Sequence, residues 1–257
     1  MNSENLPKRR AMTPDNARMV RQQGHDAEAE FAELVGGRVN VYGIGRKKDV
    51  IDKQNNIHSV KSGNKKWQIF LYGSQRLQKD IDFQASDLLF ECLNCFPDKR
   101  SDYLTDKTKY KILLQATMKK LKDYLNQDKN KIIFFKKAFL NNGEVDYLTI
   151  KEAEVFHIFE GDEAIYLLSE STTVENSQAK RITQMDEQKV IFKLLSNGTT
   201  IGEIELRNDS EIHYREIKFW MDREKTLKLL KEKIMGLKTR YDRAIVHGKA
   251  ISKFQEL

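Results

Sequence analysis

The 257-residue chain has only two cysteines, Cys92 and Cys95. So few thiols fit a reducing compartment, and the expected location is the cytoplasm. The pair spells Cys-x-x-Cys, which offers two of the four ligands that structural zinc requires. No second pair follows, and His157 and His213 lie far off in sequence. Buried helical cysteines are therefore expected. Proline occurs three times, too rarely for a Pro-rich, disordered chain. No apolar run approaches the roughly 20 residues that span a bilayer, so no membrane partner is expected. Lys8, Arg9 and Arg10 are not followed by an apolar stretch, and a signal peptide is not expected either. Gly43-Ile-Gly45 lacks the third glycine and the following helix of a nucleotide-binding loop. Internal repeats and low-complexity segments are also missing.

What is present can bury a core. Hydrophobic residues make up 39% and charged residues 32%, the balance of a globular chain rich in secondary structure. The length suits one large domain, or a core with a smaller lobe. Lysine and arginine outnumber aspartate and glutamate by 45 to 38. That excess favours a polyanionic partner, although charge alone does not name one.

Residues 1–23 are polar and basic and read as an arm or a frayed helix. Ala27, Phe31, Leu34 and Val35 recur at helical spacing and predict a helix over 25–35, ended by Gly36-Gly37. Strands are expected at 38–44, 49–53, 57–61 and 67–72. The turn Gln54-Asn55-Asn56 should join the second and third as an antiparallel hairpin. Helices are expected at 84–95 and 108–125. The latter should bury Ile112, Leu113, Ala116 and Leu121 and turn Lys109, Lys111, Lys119, Lys120 and Lys122 to solvent. Short apolar runs predict strands at 132–135, 147–150, 155–159 and 164–168, and 170–186 reads as a polar loop. Strands at 189–195, 200–207 and 211–220 follow. A helix from about 223 to 238 is striped by Leu227, Leu230, Ile234 and Leu237. The fold class is mixed α/β. A division near residue 170 separates 1–170, arm and core, from 171–257, unless the two form one continuous domain.

One stretch carries chemistry. Asp49 opens one strand of the hairpin, and Ser59 and Lys61 lie near the end of the next. Side chains alternate along a strand, so Ser59 and Lys61 share a face, and the hairpin brings Asp49 beside them. An ordinary strand-edge acid and a surface lysine give the same letters. The order of parts says more: helix with Glu28, Gly-Gly, strand, Asp49, turn, strand with Lys61. In that order the chain resembles the PD-(D/E)xK nuclease superfamily, which includes most type II restriction endonucleases. The resemblance covers roughly residues 24–72. The family places an acid at the start of one strand, then acid-x-lysine on the next. Asp49 matches the first acid and Lys61 the lysine, whereas Ser59 stands where the second acid is expected. Gly24 and Glu28 match a glycine-then-glutamate spacing that many members carry on the first helix. Glu30 and Glu33 lie on the same helix. Gln68 and Tyr72 match a Gln-x-x-x-Tyr element of some members.

The resemblance implies a nuclease fold, a mixed central sheet flanked by helices, and Mg2+-dependent hydrolysis of duplex DNA. Asp49 and Glu28 would hold the Mg2+ ion, with the Val60 carbonyl as a further ligand. Such an ion neutralises a phosphate and lowers the pKa of a bound water. Lys61, in a catalytic set with Asp49, Glu28 and Ser59, would position that water or stabilise developing charge. The products would be a 5′ phosphate and a 3′ hydroxyl. A type II restriction endonuclease is the specific expectation. The alternatives are a structure- or end-directed repair or recombination nuclease, and a non-catalytic DNA-binding module. Lys47, Lys48, Lys65, Lys66 and Gln68 would face the DNA. Arg207, His213, Arg215 and Lys218 alternate along the C-terminal strands and would reach base edges in a groove. The bland alternative is the charged outer face of an amphipathic sheet. Trp220 and Phe219 are expected to pack rather than stack on bases. Recognition sequence, cut position, monomer or homodimer, and one or two metal ions stay open.

Overall fold

A computed structural model describes residues 14–40, 47–63, 65–80, 83–181, 184–208, 210–238 and 242–254. The chain begins with α1 (Pro14–Leu34), β1 (Arg38–Val39), β2 (Val50–Ile51), β3 (Ile57–Lys61) and β4 (Lys66–Tyr72). A helical stretch follows: α2 (Ser74–Lys79), α3 (Ser86–Asn94), α4 (Arg100–Thr105), α5 (Lys107–Leu125) and α6 (Asp128–Leu140). Then come β5 (Tyr147–Glu152), β6 (Val155–Glu160), α7 (Gly161–Glu170), β7 (Thr172–Asn176), β8 (Lys189–Leu194), β9 (Thr200–Arg207) and β10 (Glu216–Asp222). The last described elements are α8 (Arg223–Lys233), β11 (Gly236–Lys238), β12 (Ala244–His247) and α9 (Ala250–Phe254).

The fold is mixed α/β. A seven-stranded sheet has the order β1-β2-β3-β5-β6-β12-β11, and a five-stranded sheet has the order β4-β10-β9-β8-β7. The first is mixed, with β3 parallel to β5 and β6 parallel to β12. The second is antiparallel throughout. Phe31 and Ala32 of α1, with Val35 just beyond it, pack on one face of the first sheet, against Val50, Val60, Tyr147, Phe156 and Ile158. The opposite face gives Leu148, Ile150 and Phe159 to a larger core shared with Phe70, Phe192, Ile204 and Phe219 of the second sheet. Residue 170 does not divide the sheets, because β4 belongs to the second and β11 and β12 to the first.

The hairpin of β2 and β3, the helices over 84–95 and 108–125, and the strands at 147–150, 155–159, 189–195 and 200–207 form as the periodicity indicates. Other expectations are corrected. Residues 132–135 lie in α6, not in a strand. Phe134 and Phe135 are both fully buried, touching Phe192 and Phe219 at ring distances of 5.0–6.3 Å. A helix wedged between two layers is apolar on several sides, which gives the same continuous run as a buried strand. Residues 164–168 lie in α7, where Ala164, Ile165 and Leu168 are buried at helical spacing and the Glu160 carboxylate caps the Glu163 N–H at 2.7 Å. The expected loop at 170–186 contains β7, an edge strand that turns Val174 inward.

Helix α5 buries Leu114, Met118, Leu121 and Leu125, while Ile112 and Leu113 are exposed. Helix α8 stops at Lys233 because Ile234 is extended, and 236–238 form β11 instead, leaving Leu237 exposed. Helix α1 starts at Pro14, earlier than the apolar spacing indicates. Of the expected strand at 38–44, Arg38–Val39 forms β1; 41–46, like the arm at 1–13, lies outside the described residues. Strand β10 begins at Glu216, later than expected. Cys92 and Cys95 are free and buried, as expected. Among the described residues no helix is long and apolar enough to cross a membrane.

Candidate active site

The hairpin is fixed before any site forms. Asn55 takes a positive φ of 66° at its turn. The Asp52 carboxylate accepts the Gln54 N–H at 2.9 Å and the Asn56 N–H at 2.8 Å, an Asx-type closure of the turn. Buried His58 contacts Thr149 Oγ1 at 2.9 Å and Asp52 Oδ2 at 3.4 Å and stacks on Tyr147. Gly37 lets α1 meet the hairpin closely: a Cβ there would lie 2.3 Å from the Ile51 carbonyl oxygen.

Asp49 immediately precedes β2, and its N–H donates to the His58 carbonyl at 3.0 Å. Past this point no strand among the described residues pairs with β3 on that side, and the Asp49 side chain takes up the free Val60 N–H. The Val60 N–H donates to Asp49 Oδ2 at 2.8 Å, and the Ser59 hydroxyl donates to the same oxygen at 3.3 Å. Lys61 Nζ donates to Asp49 Oδ2 at 3.1 Å, to Ser59 Oγ at 2.6 Å and to the Val60 carbonyl at 3.2 Å. An ammonium has three N–H donors, and these contacts use all three. The Asp49 and Lys61 side chains are 15% and 18% exposed, open enough for a ligand yet shielded from bulk screening. The structure thus brings together Asp49, Ser59, Val60 and Lys61.

The acids of α1 separate by their partners. Glu30 pairs with both Lys151 and Arg243. Glu33 is exposed. Glu28 is partly buried, and burial followed by the nearby Asp49 carboxylate raises its pKa, with His25 at 3.3 Å opposing the shift. Glu28 is therefore the acid that shares an electrostatic environment with Asp49. Two carboxylates that repel each other beside a backbone carbonyl form a hard-oxygen set suited to magnesium. Among the described residues no group of three or more His, Cys, Asp or Glu side chains gathers to hold a metal.

Lys47 Nζ donates to the Ile69 carbonyl of β4 at 2.5 Å. Burial, then repulsion from Lys61, brings its pKa down to about 7. Lys48 pairs with Glu144 at 3.3 Å, and Lys65 is exposed. Lys66 lies over the Trp220 ring at 3.3 Å on the outer face of the second sheet, where Gln68 is also exposed. A bulge pairs Phe70 with Phe219 and Gln68 with Trp220, skipping Ile69. Tyr72 consequently stacks on Phe70, partly buried against the core, so Gln68 and Tyr72 do not act on one face.

The C-terminal residues do not form one free ribbon. Arg215 has a positive φ of 57° and turns to the end of α3, reaching the Leu93 carbonyl at 3.2 Å, Asn94 and Asp98. His213 pairs with Glu216 at 2.7 Å. Lys218 pairs with Glu205 at 3.6 Å, and Arg207 ends β9. On the outer face Lys189 and Lys193 also meet glutamates. Trp220 and Phe219 are buried, as expected.

Lys151 and Arg243, which hold Glu30 away from the site, carry no signal in spacing, being 121 and 213 residues from their partner. An open cavity of about 630 Å³ beside β7, lined by Lys122, Glu175, Asn176 and Glu187 among others, contains none of the candidate residues. Comparison with known protein families, curated proteins and solved structures finds no match.

Proposed function

We propose that this chain is a Mg2+-dependent nuclease of the PD-(D/E)xK type that hydrolyses a phosphodiester of duplex DNA. The observation that supports this most is the convergence of Ser59, Val60 and Lys61 on one Asp49 carboxylate oxygen, with Glu28 coupled to the same charge. Asp49, Glu28 and the Val60 carbonyl would hold the ion. When bound, magnesium supplies charge neutralisation at the phosphate and acidifies a water. Lys61 gives up one of its three internal contacts to donate to the attacked phosphate or to orient the water. Ser59 keeps the Lys61 ammonium at Asp49.

Type II restriction cleavage is the specific form proposed. A second reading, a nuclease directed by DNA structure or ends, is favoured by one observation. Arg215, His213 and Lys218 are already paired with groups of the same chain and so offer base edges little. Digestion of long linear duplex DNA with magnesium or with EDTA separates the readings. A fixed band ladder, absent with EDTA, supports a restriction enzyme, and a smear or end-shortening supports the second reading. Asp49→Ala and Lys61→Ala should each lower cleavage at least about 100-fold. Near-normal cutting by both variants ends the proposal.

A further inference from the structure

We propose that Arg76 of α2 binds a backbone phosphate of the nucleic-acid strand whose scissile phosphodiester lies at Asp49. The inference rests on the nuclease reading in one respect, that the strand reaches Asp49. Two lysines of this region are matched by carboxylates: Lys61 by Asp49 at 3.1 Å, and buried Lys137 by buried Asp80 at 2.6 Å. Lys47 turns to the neutral Ile69 carbonyl. Arg76 brings a charge in excess. Its Nη2 stands 3.7 Å from Asp80 Oδ2, beyond hydrogen-bond distance, and Lys137 already neutralises that carboxylate. Its guanidinium lies 5.4 Å from the centre of the Tyr72 ring, a cation–π contact with the ring face that leaves most of the N–H fork available. Tyr72 and Asp80 thus orient a side chain that is still 52% exposed. A guanidinium keeps its charge at any working pH, and its fork matches two phosphate oxygens. Arg76 also shares the surroundings of the candidate site. The Lys47 ammonium is repelled by Lys61 and by Arg76 and attracted by Asp49. On the outer face of the second sheet, by contrast, Lys189 and Lys218 are matched by two glutamates, Glu203 and Glu205. Of these two places, the one beside Asp49 offers a polyanion the unmatched, exposed guanidinium.

The test reads binding without cleavage. A short fluorescein-labelled DNA duplex is titrated with the full chain in EDTA, and its anisotropy gives the affinity over a range of KCl concentrations. Loss of one phosphate contact lowers the slope of log affinity against log salt by about 0.9, which weakens binding about eightfold at roughly 0.1 M salt. Arg76→Gln should show both effects, and Arg76→Lys, which keeps the charge, should restore the slope. Lys228→Gln, an equal loss of charge at an exposed position of α8, should show neither. Unchanged affinity and slope in Arg76→Gln, or an equal loss in Lys228→Gln, overturns the inference and leaves the nuclease reading standing. A natural chain that does not bind the duplex overturns both. A second measurement needs no variant: the duplex should shield Arg76 of the natural chain from phenylglyoxal, read by peptide mass. Unhindered modification of Arg76 in the bound complex overturns the inference even if Arg76→Gln fails to fold.

Discussion

Acid should unfold this protein through a pair of histidines remote from the Asp49 cluster. Parallel pairing of β6 and β12 places His157 and His247 side by side, Nδ1 to Nε2 at 3.0 Å, each 3% exposed. His247 Nδ1 faces the Ile234 carbonyl at 3.2 Å. Glu152 faces His157 Nε2 at 3.4 Å, Lys231 pairs with that glutamate, and Arg223 lies near it. Burial, then Lys231 and His247, pushes the His157 pKa down to about 4 from its ordinary 6.5. A histidine whose folded pKa is depressed binds its proton later than the unfolded chain does. Its full contribution is therefore present above about pH 6.5, and stability is lost as pH falls from there toward 4. At about 1.4 kcal/mol per tenfold change in proton affinity, the gap amounts to at most about 3.5 kcal/mol. His247 and His58, both depressed chiefly by burial, add losses of the same sign. Urea unfolding at pH 8, 6 and 4.5 reads the loss directly. His157→Gln should be less stable at pH 8 yet lose less on acidification. If its stability falls with pH as steeply as that of the natural chain, buried His157 is not the cause.

Removing the site's lysine should be felt in stability as well as in cleavage. Lys61→Met leaves Asp49 and Glu28 without their cation, at a cost of about 2 kcal/mol. Mg2+ should raise the Tm of this variant more than that of the natural chain, and equal shifts in a thermal melt would count against a shared ion site. Gly37→Ala puts a Cβ 2.3 Å from the Ile51 carbonyl oxygen and 2.8 Å from Asp52 Cα, both backbone atoms that cannot swing aside. It should cost about 2–3 kcal/mol in urea unfolding, and a midpoint like that of the natural chain would show that α1 can lift off the hairpin freely.

The hairpin and its acid and lysine were legible because everything that defines them is local. Strand alternation and a short turn suffice to put Asp49, Ser59 and Lys61 together. The same locality explains the errors. Ile132 to Phe135 is four apolar residues in a row, and only contacts with distant Phe192 and Phe219 distinguish a wedged helix from a buried strand. Strand β7 has little apolar character of its own and exists because β8 offers it an edge. On α5, Ile112 and Leu113 are as apolar as Leu114 and Met118, and the helix–sheet packing, not composition, selects which pair is covered. Within the site, three glutamates on one helix cannot be ranked from sequence. Glu30 is removed by cations from β5 and from the approach to β12. The groove-reading role expected of Arg215 depends on a straight strand, and its left-handed backbone breaks that condition.

The crossing from β3 to β4 carries a mechanical consequence. Lys61 ends a strand of the first sheet, Lys66 begins a strand of the second, and only residues 62–65 lie between. The link is pinned, since the Arg223 N–H donates to the Lys65 carbonyl at 2.9 Å, and Lys47 crosses to the Ile69 carbonyl. Four residues reach at most about 14 Å when taut, which bounds how far the two strand ends can part. A displacement of the second sheet would therefore act on the Lys61 end of β3 through a short connection. Lengthening the 62–65 link would uncouple the lysine's strand end from the second sheet.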